Sequence, residues 1–199
     1  VKLDFTSIFS PQGGNIRILP PEIGTKKAFQ EWIGVAPFAA HKQKVYPPEM
    51  LEKMITMLTK EHPSCRVFIF GKGPLEDPII NGIVSRNPQC LNASAVLNGI
   101  SQELVLMSHL DVMVSMDSAN MHFASLVNTP VVSIWGATHP YAGFMGWGQN
   151  EHNAVQIDLA CRPCSIFGNK PCLRGDLACM RNISPEMVYE RVKQVLNKK

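Results

Sequence analysis

The stretch Asp111-Val112-Met113-Val114-Ser115-Met116-Asp117-Ser118-Ala119-Asn120-Met121-His122-Phe123-Ala124-Ser125-Leu126-Val127-Asn128-Thr129-Pro130-Val131-Val132-Ser133-Ile134-Trp135-Gly136 decides the fold. It opens with a short apolar run over 111–115, passes through a helical segment over 120–127 and returns to a second apolar run over 130–136. Runs that are apolar on both faces and joined by a helix imply a βαβ unit, whose strands are parallel and covered on both sides.

The same alternation extends outward in both directions. Upstream, Trp32-Ile33-Gly34-Val35-Ala36 is a strand stopped by Pro37, and Arg66-Val67-Phe68-Ile69-Phe70 is a strand stopped by Gly71. Between them Pro47 and Pro48 suit a helix start, and Met50, Leu51, Met54, Ile55 and Leu58 make a stripe at helical spacing. A helix is expected over 79–86, ending before Pro88. Ser101 is read as the cap of another, with Glu103 in its first turn and Leu104, Val105 and Met107 behind it. Downstream, 153–157 reads as a strand, and Ser184-Pro185-Glu186 opens a last helix reaching the basic tail. Right-handed crossovers then give an α/β fold, a doubly wound Rossmann-like parallel sheet. Pro11, Gly13, Gly14, Pro20 and Pro21 break up the start, so 1–31 is expected to be an entry or interdomain linker. Residues 32–199 are expected to form the domain, with a cysteine-rich loop over 158–182 and the C-terminal helix over 184–197.

Composition agrees with one globular unit. The chain has 199 residues, 45% of them hydrophobic and 18% charged, which excludes disorder, collagen and coiled coil. A net charge of +3, without clustered basic residues, points away from a nucleic-acid partner. No apolar run approaches the roughly 18 residues of a membrane span. No secretory leader is read in Val1-Lys2-Leu3-Asp4, so a cytoplasmic setting with reduced thiols is expected. The missing initial methionine reads as a cut or processed piece.

In an open parallel sheet, ligands bind beyond the carboxyl ends of the strands. Four segments fall there. In Met116-Asp117-Ser118-Ala119-Asn120-Met121-His122, Asp117 or Ser118 can cap the helix while its first N–H groups face an anion, with His122 one turn deeper on the same face. The alternative is a plain cap and a histidine bonded to a carbonyl. In Gly136-Ala137-Thr138, backbone amides and the Thr138 hydroxyl can hold phosphate oxygens, or form an ordinary turn. The loop His41-Lys42-Gln43-Lys44 can bring cations to a pyrophosphate, or merely solvate the surface. Gly71-Lys72-Gly73-Pro74-Leu75-Glu76 lacks the third glycine of a dinucleotide fingerprint, yet Glu76 can still accept from ribose hydroxyls. No cofactor is implied. Cys161-x2-Cys164-x7-Cys172-x6-Cys179 could close a structural zinc site, but its second pair is widely spaced; free thiols or an adventitious disulfide are the alternatives.

Taken together, Asp117-Ser118-Ala119-Asn120-Met121-His122 followed by Pro130-Val131-Val132-Ser133-Ile134-Trp135-Gly136-Ala137-Thr138-His139-Pro140 resembles the donor-site signature of the ADP-heptose:lipopolysaccharide heptosyltransferases. Lys44-Val45-Tyr46-Pro47 resembles the family's Lys-x-Trp-Pro segment, and the cysteine-bearing tail resembles that of some members. The resemblance spans about Trp32 to the end. It implies one half of a GT-B glycosyltransferase, the C-terminal half that binds the nucleotide-sugar donor. An N-terminal half would bind a lipid-linked or glycan acceptor and supply the catalytic base, so no catalytic residue is expected in this chain, which alone would be inactive. By the same resemblance, Lys44, Asp117, Ser118 and Ala119 would contact the diphosphate and sugar, and His122 would support that loop. Glu76 would take the ribose, and the adenine would lie near the segment before Ser101, around Leu97 to Ile100. The reaction would be inverting and metal-independent, and the whole enzyme would sit at the inner face of the cytoplasmic membrane. Two positions depart from the pattern: Ala119 replaces a glycine and Phe38 replaces a small residue. These departures favour, as alternatives, a non-catalytic or degenerate nucleotide-sugar-binding module, or a GT-B enzyme using another nucleotide sugar.

Overall fold

The computed structural model describes residues 7–198. Six parallel strands form one sheet in the order β3-β2-β1-β4-β5-β6. They are β1 (Glu31–Ala36), β2 (Cys65–Ile69), β3 (Cys90–Asn92), β4 (Val112–Met116), β5 (Val131–Ile134) and β6 (Ala154–Val155). The helices are α1 (Pro48–Glu61), α2 (Asp77–Arg86), α3 (Ala93–Val96), α4 (Ile100–Ser108), α5 (Ala119–Leu126), α6 (Ala178–Arg181) and α7 (Pro185–Leu196). This strand order is that of the Rossmann fold, and it reverses direction between β1 and β4.

Period-two alternation along the strands sends side chains to two cores. Ile33, Val35, Val67, Ile69, Val112 and Val114 join Leu51, Met54, Ile55 and Leu58 of α1 with Val188, Val192 and Val195 of α7 on one face. Trp32, Ala36, Phe68, Met113 and Val131 join Leu106 and Met107 of α4 with Met121 and Ala124 of α5 on the other. Both faces are therefore covered, as a parallel sheet requires.

Several local readings need correction. Ser101 does not cap α4: Gly99 does, at φ 81, a backbone state that glycine adopts without strain. Ser118 holds the N-cap position of α5, but its side chain makes no capping bond, and Asp117 is turned elsewhere. The 153–157 strand shrinks to two residues, preceded by a 3-10 turn over Glu151–Asn153. Strand β3 and the short α3 were not foreseen.

Between Ser7 and Gln30, in the segment read as a linker, the chain has no regular element beyond two 3-10 turns, Ile16–Ile18 and Pro21–Ile23; Glu31 already opens β1. This segment is nevertheless tied to α4. The Gly14 amide donates to Ser108 Oγ at 2.9 Å, His109 Nε2 lies 2.8 Å from the Gly14 carbonyl, and Ile23 is buried in the second core.

Candidate functional site

The loops leaving β1, β2, β4 and β5 meet at the reversal point and enclose a cleft of about 430 Å³, within the usual range for small-molecule sites. Strand β4 delivers Asp117, which is 5% exposed. The carboxylate does not cap α5. Its Oδ2 lies 3.0 Å from Lys44 Nζ and accepts a 2.9 Å hydrogen bond from Thr138 Oγ1. Thr138 is fully buried. Three loops are thus joined through one oxygen. The Lys44 segment is a 3-10 turn over Lys42–Lys44, stitched to the β5 exit by a hydrogen bond from the Ala137 amide to the Gln43 carbonyl.

Because Asp117 is committed to Lys44 and Thr138, the first turn of α5 has no side chain across its N–H groups. Ser118 Oγ instead pairs with Ser115 Oγ at 3.2 Å. Ser118, Ala119 and Asn120 line the cleft at this helix start, where unsatisfied amides and the helix dipole favour an anion. Ala119 opens α5 and is not among the residues with positive φ, so its alanine carries no backbone strain.

The opposite wall comes from the turn after β2. Glu76 Oε2 accepts from the Lys72 amide at 2.9 Å, and the Gly71 amide donates to Ser94 Oγ, which bonds Glu103. Phe38 lies half-buried between this turn and the first core. Its ring approaches within 3.1 Å of the position a Gly71 Cβ would take, so Gly71 must stay small.

Of the residues singled out from sequence, Lys44, Glu76, Asp117, Ser118, Ala119 and His122 line the cleft, and Thr138 stands directly behind Asp117. His122 is exposed at the rim. Ile100 does not join them: it is 50% exposed at the start of α4, outside the cleft lining. Asn120, from the same marked segment, also lines the cleft, and Phe144 does so without any expectation from the sequence. All six cysteines are free thiols, and among the described residues no group of three or more His, Cys, Asp or Glu side chains is arranged to hold a metal ion.

A six-stranded sheet in Rossmann order with a cleft at its reversal point is the form of one half of a GT-B fold. The chain belongs to glycosyltransferase family 9, the heptosyltransferase family, whose model matches residues 21–170. It is similar to lipooligosaccharide heptosyltransferase 2 of Campylobacter jejuni, with 27% identity over 133 residues, 65% of this chain and 40% of the relative. Among solved structures, E. coli ADP-heptose lps heptosyltransferase II superposes with a TM-score of 0.62 at 20% identity, covering 84% of this chain and 47% of that one. E. coli heptosyltransferase WaaC, solved with ADP-2-deoxy-2-fluoro heptose, gives 0.61 at 16% identity, covering 90% and 46%. The chain thus spans less than half the length of each. Among the described residues no helix is long and apolar enough to cross a membrane.

Proposed function

We propose that this chain is the donor-binding half of a heptosyltransferase and that its cleft takes the diphosphate of a nucleotide sugar, ADP-heptose above all. The observation that carries this reading is the Lys44–Asp117–Thr138 cluster beside the uncapped start of α5. An ammonium held in place by a carboxylate, next to free helix amides, suits a group whose negative charge grows as the glycosidic bond breaks. Lys44 and the Ala119 and Asn120 amides receive the departing diphosphate, which supplies the stabilisation that an inverting, metal-independent transfer needs. Asp117 orients Lys44 and does not act as base. The base and a lipid-linked or glycan acceptor belong to the other half of the enzyme, which works at the cytoplasmic side of the membrane. Glu76, on the far wall, accepts from the ribose hydroxyls. Support for ADP comes from WaaC, a structural neighbour solved with an ADP-heptose analogue.

The test is a thermal-shift screen of the chain against ADP, UDP, GDP and CDP. A nucleotide at 100 times its Kd adds about 2.7 kcal/mol, a shift of several degrees for a domain of this size. Selective stabilisation by ADP is expected. Preference for another nucleotide moves the donor, and no shift with any of the four favours a degenerate module.

A further inference from the structure

The cysteine-bearing loop has no place in the reading above, yet it touches the site from behind. Arg162 lies between Cys161 and Cys164, and its guanidinium donates to four neutral acceptors: the carbonyls of Gly136, Ile157 and Thr138 and the side-chain oxygen of Gln156. The bonds to Thr138 and Gln156 measure 3.0 Å each. Two of the four acceptors, Gly136 and Thr138, flank the turn that leaves β5. The Cys164 amide fixes the third residue of that turn through a 2.9 Å bond to the Ala137 carbonyl. A second contact of the loop reaches Lys44 directly. Gly168, at φ 72, is packed so closely that a Cβ there would fall 2.5 Å from Lys44 Cδ and 3.2 Å from Thr138 Cγ2.

We propose that Arg162 is the positioning residue of the anion site: its fork fixes the backbone of Thr138, whose hydroxyl holds Asp117, which holds Lys44. This rests on the proposed donor site for its consequence but on geometry alone for its mechanism. A planar guanidinium with five donors can satisfy several carbonyls in fixed directions, which an ammonium cannot. Substituting it loosens the turn, and the loosening passes through Thr138 to the lysine. Gly168 then serves as the backstop that keeps the Lys44 stem aimed into the cleft.

The experiment uses Arg162→Lys, Arg162→Ala, Thr138→Val and the Arg162→Lys/Thr138→Val double variant, with two readouts. The first is competitive acetylation of Lys44, quantified by mass spectrometry against Lys42, which is exposed in the same turn and serves as internal reference. The second is the ADP dissociation constant by calorimetry. The expected result is a Lys44/Lys42 labelling ratio raised at least threefold in Arg162→Lys, ADP binding weakened about tenfold, and no further change when Thr138→Val is added. Unchanged Lys44 labelling in Arg162→Lys overturns the proposal, as does full additivity of the two substitutions. If Arg162→Ala does not fold, Arg162→Lys, which keeps charge and bulk, decides alone. Wild-type protein that fails to bind ADP contradicts the donor-site reading, while the labelling ratio still tests the positioning role.

Discussion

Lys44 Nζ stands 3.0 Å from Asp117 Oδ2 and so ties the loop after β1 to the loop after β4 at the point where the strand order reverses. Both side chains are largely out of water, and the same carboxylate oxygen accepts from Thr138. Removing the carboxylate therefore strands a cation and a hydroxyl donor together. Asp117→Ala is expected to destabilise the chain by about 3 kcal/mol, because an uncompensated buried charge costs more than the pair contributed. Asp117→Asn, which still accepts from Thr138, loses less. Urea denaturation of the two variants checks the order.

Thr138→Val keeps shape and burial but removes the hydroxyl that donates to Asp117. A hydrogen bond to a charged group is worth about 1.5–3 kcal/mol, so a loss near the lower end is expected where Lys44 still pairs the carboxylate. The same denaturation series measures it.

Buried thiols are expected to weaken the fold at alkaline pH. Burial, aided by Glu31, pushes Cys65 up from 9.0 to about 11; burial, aided by the neighbouring Cys65, pushes Cys90 to about 12. The unfolded chain gives up these protons near pH 9 while the folded chain retains them. Their contribution is thus intact below pH 9 and is lost as the pH rises through 11 to 12. The buried Tyr46 hydroxyl, also raised by burial, donates to the Ile183 carbonyl and adds loss of the same sign above its ordinary range. Denaturation midpoints measured between pH 8 and 11 should fall, and fall less in a Cys65→Ala/Cys90→Ala variant.

The cysteines should also differ in reactivity. The Cys172 thiol is held below its usual range by hydrogen bonds from the backbone at Leu177, Arg174 and Gly175, whereas Cys65 and Cys90 are buried and raised. The thiolate is the reactive form. Iodoacetamide at pH 7.5 is expected to modify Cys172 first and to leave Cys65 and Cys90 untouched in the native state, as peptide mapping would record.

Core packing gives a control remote from the site. Leu58 is fully buried among α1, α7 and the sheet. Leu58→Ala is expected to cost about 2–5 kcal/mol without altering nucleotide preference.

Long apolar runs made β1, β2, β4 and β5 readable, because a strand buried on both faces is apolar at most of its positions. Strand β3 escaped notice because only Cys90, Leu91 and Asn92 form it, and its ladder with β2 is a long-range fact. Ser101 looked like a cap by residue type, but Gly99 is the residue that enters the positive-φ state the chain needs. At the site, Lys44, Asp117 and Thr138 were marked individually; that one oxygen joins all three depends on the closing of three loops. Ile100 came only from the resemblance, and it is half exposed at the start of α4, outside the cleft lining. Arg162 gave no signal at all, since its four acceptors come from residues 136–157 and the flanking cysteines suggested a metal instead.

The proposed site holds the diphosphate of a nucleotide sugar between Lys44 and the start of α5. Its most direct test is the structure of the chain crystallised with ADP. The pyrophosphate is expected within hydrogen-bond reach of Lys44 Nζ and the Ala119 and Asn120 amides. ADP bound elsewhere, or a cleft that stays free of nucleotide at saturating ADP, would contradict it.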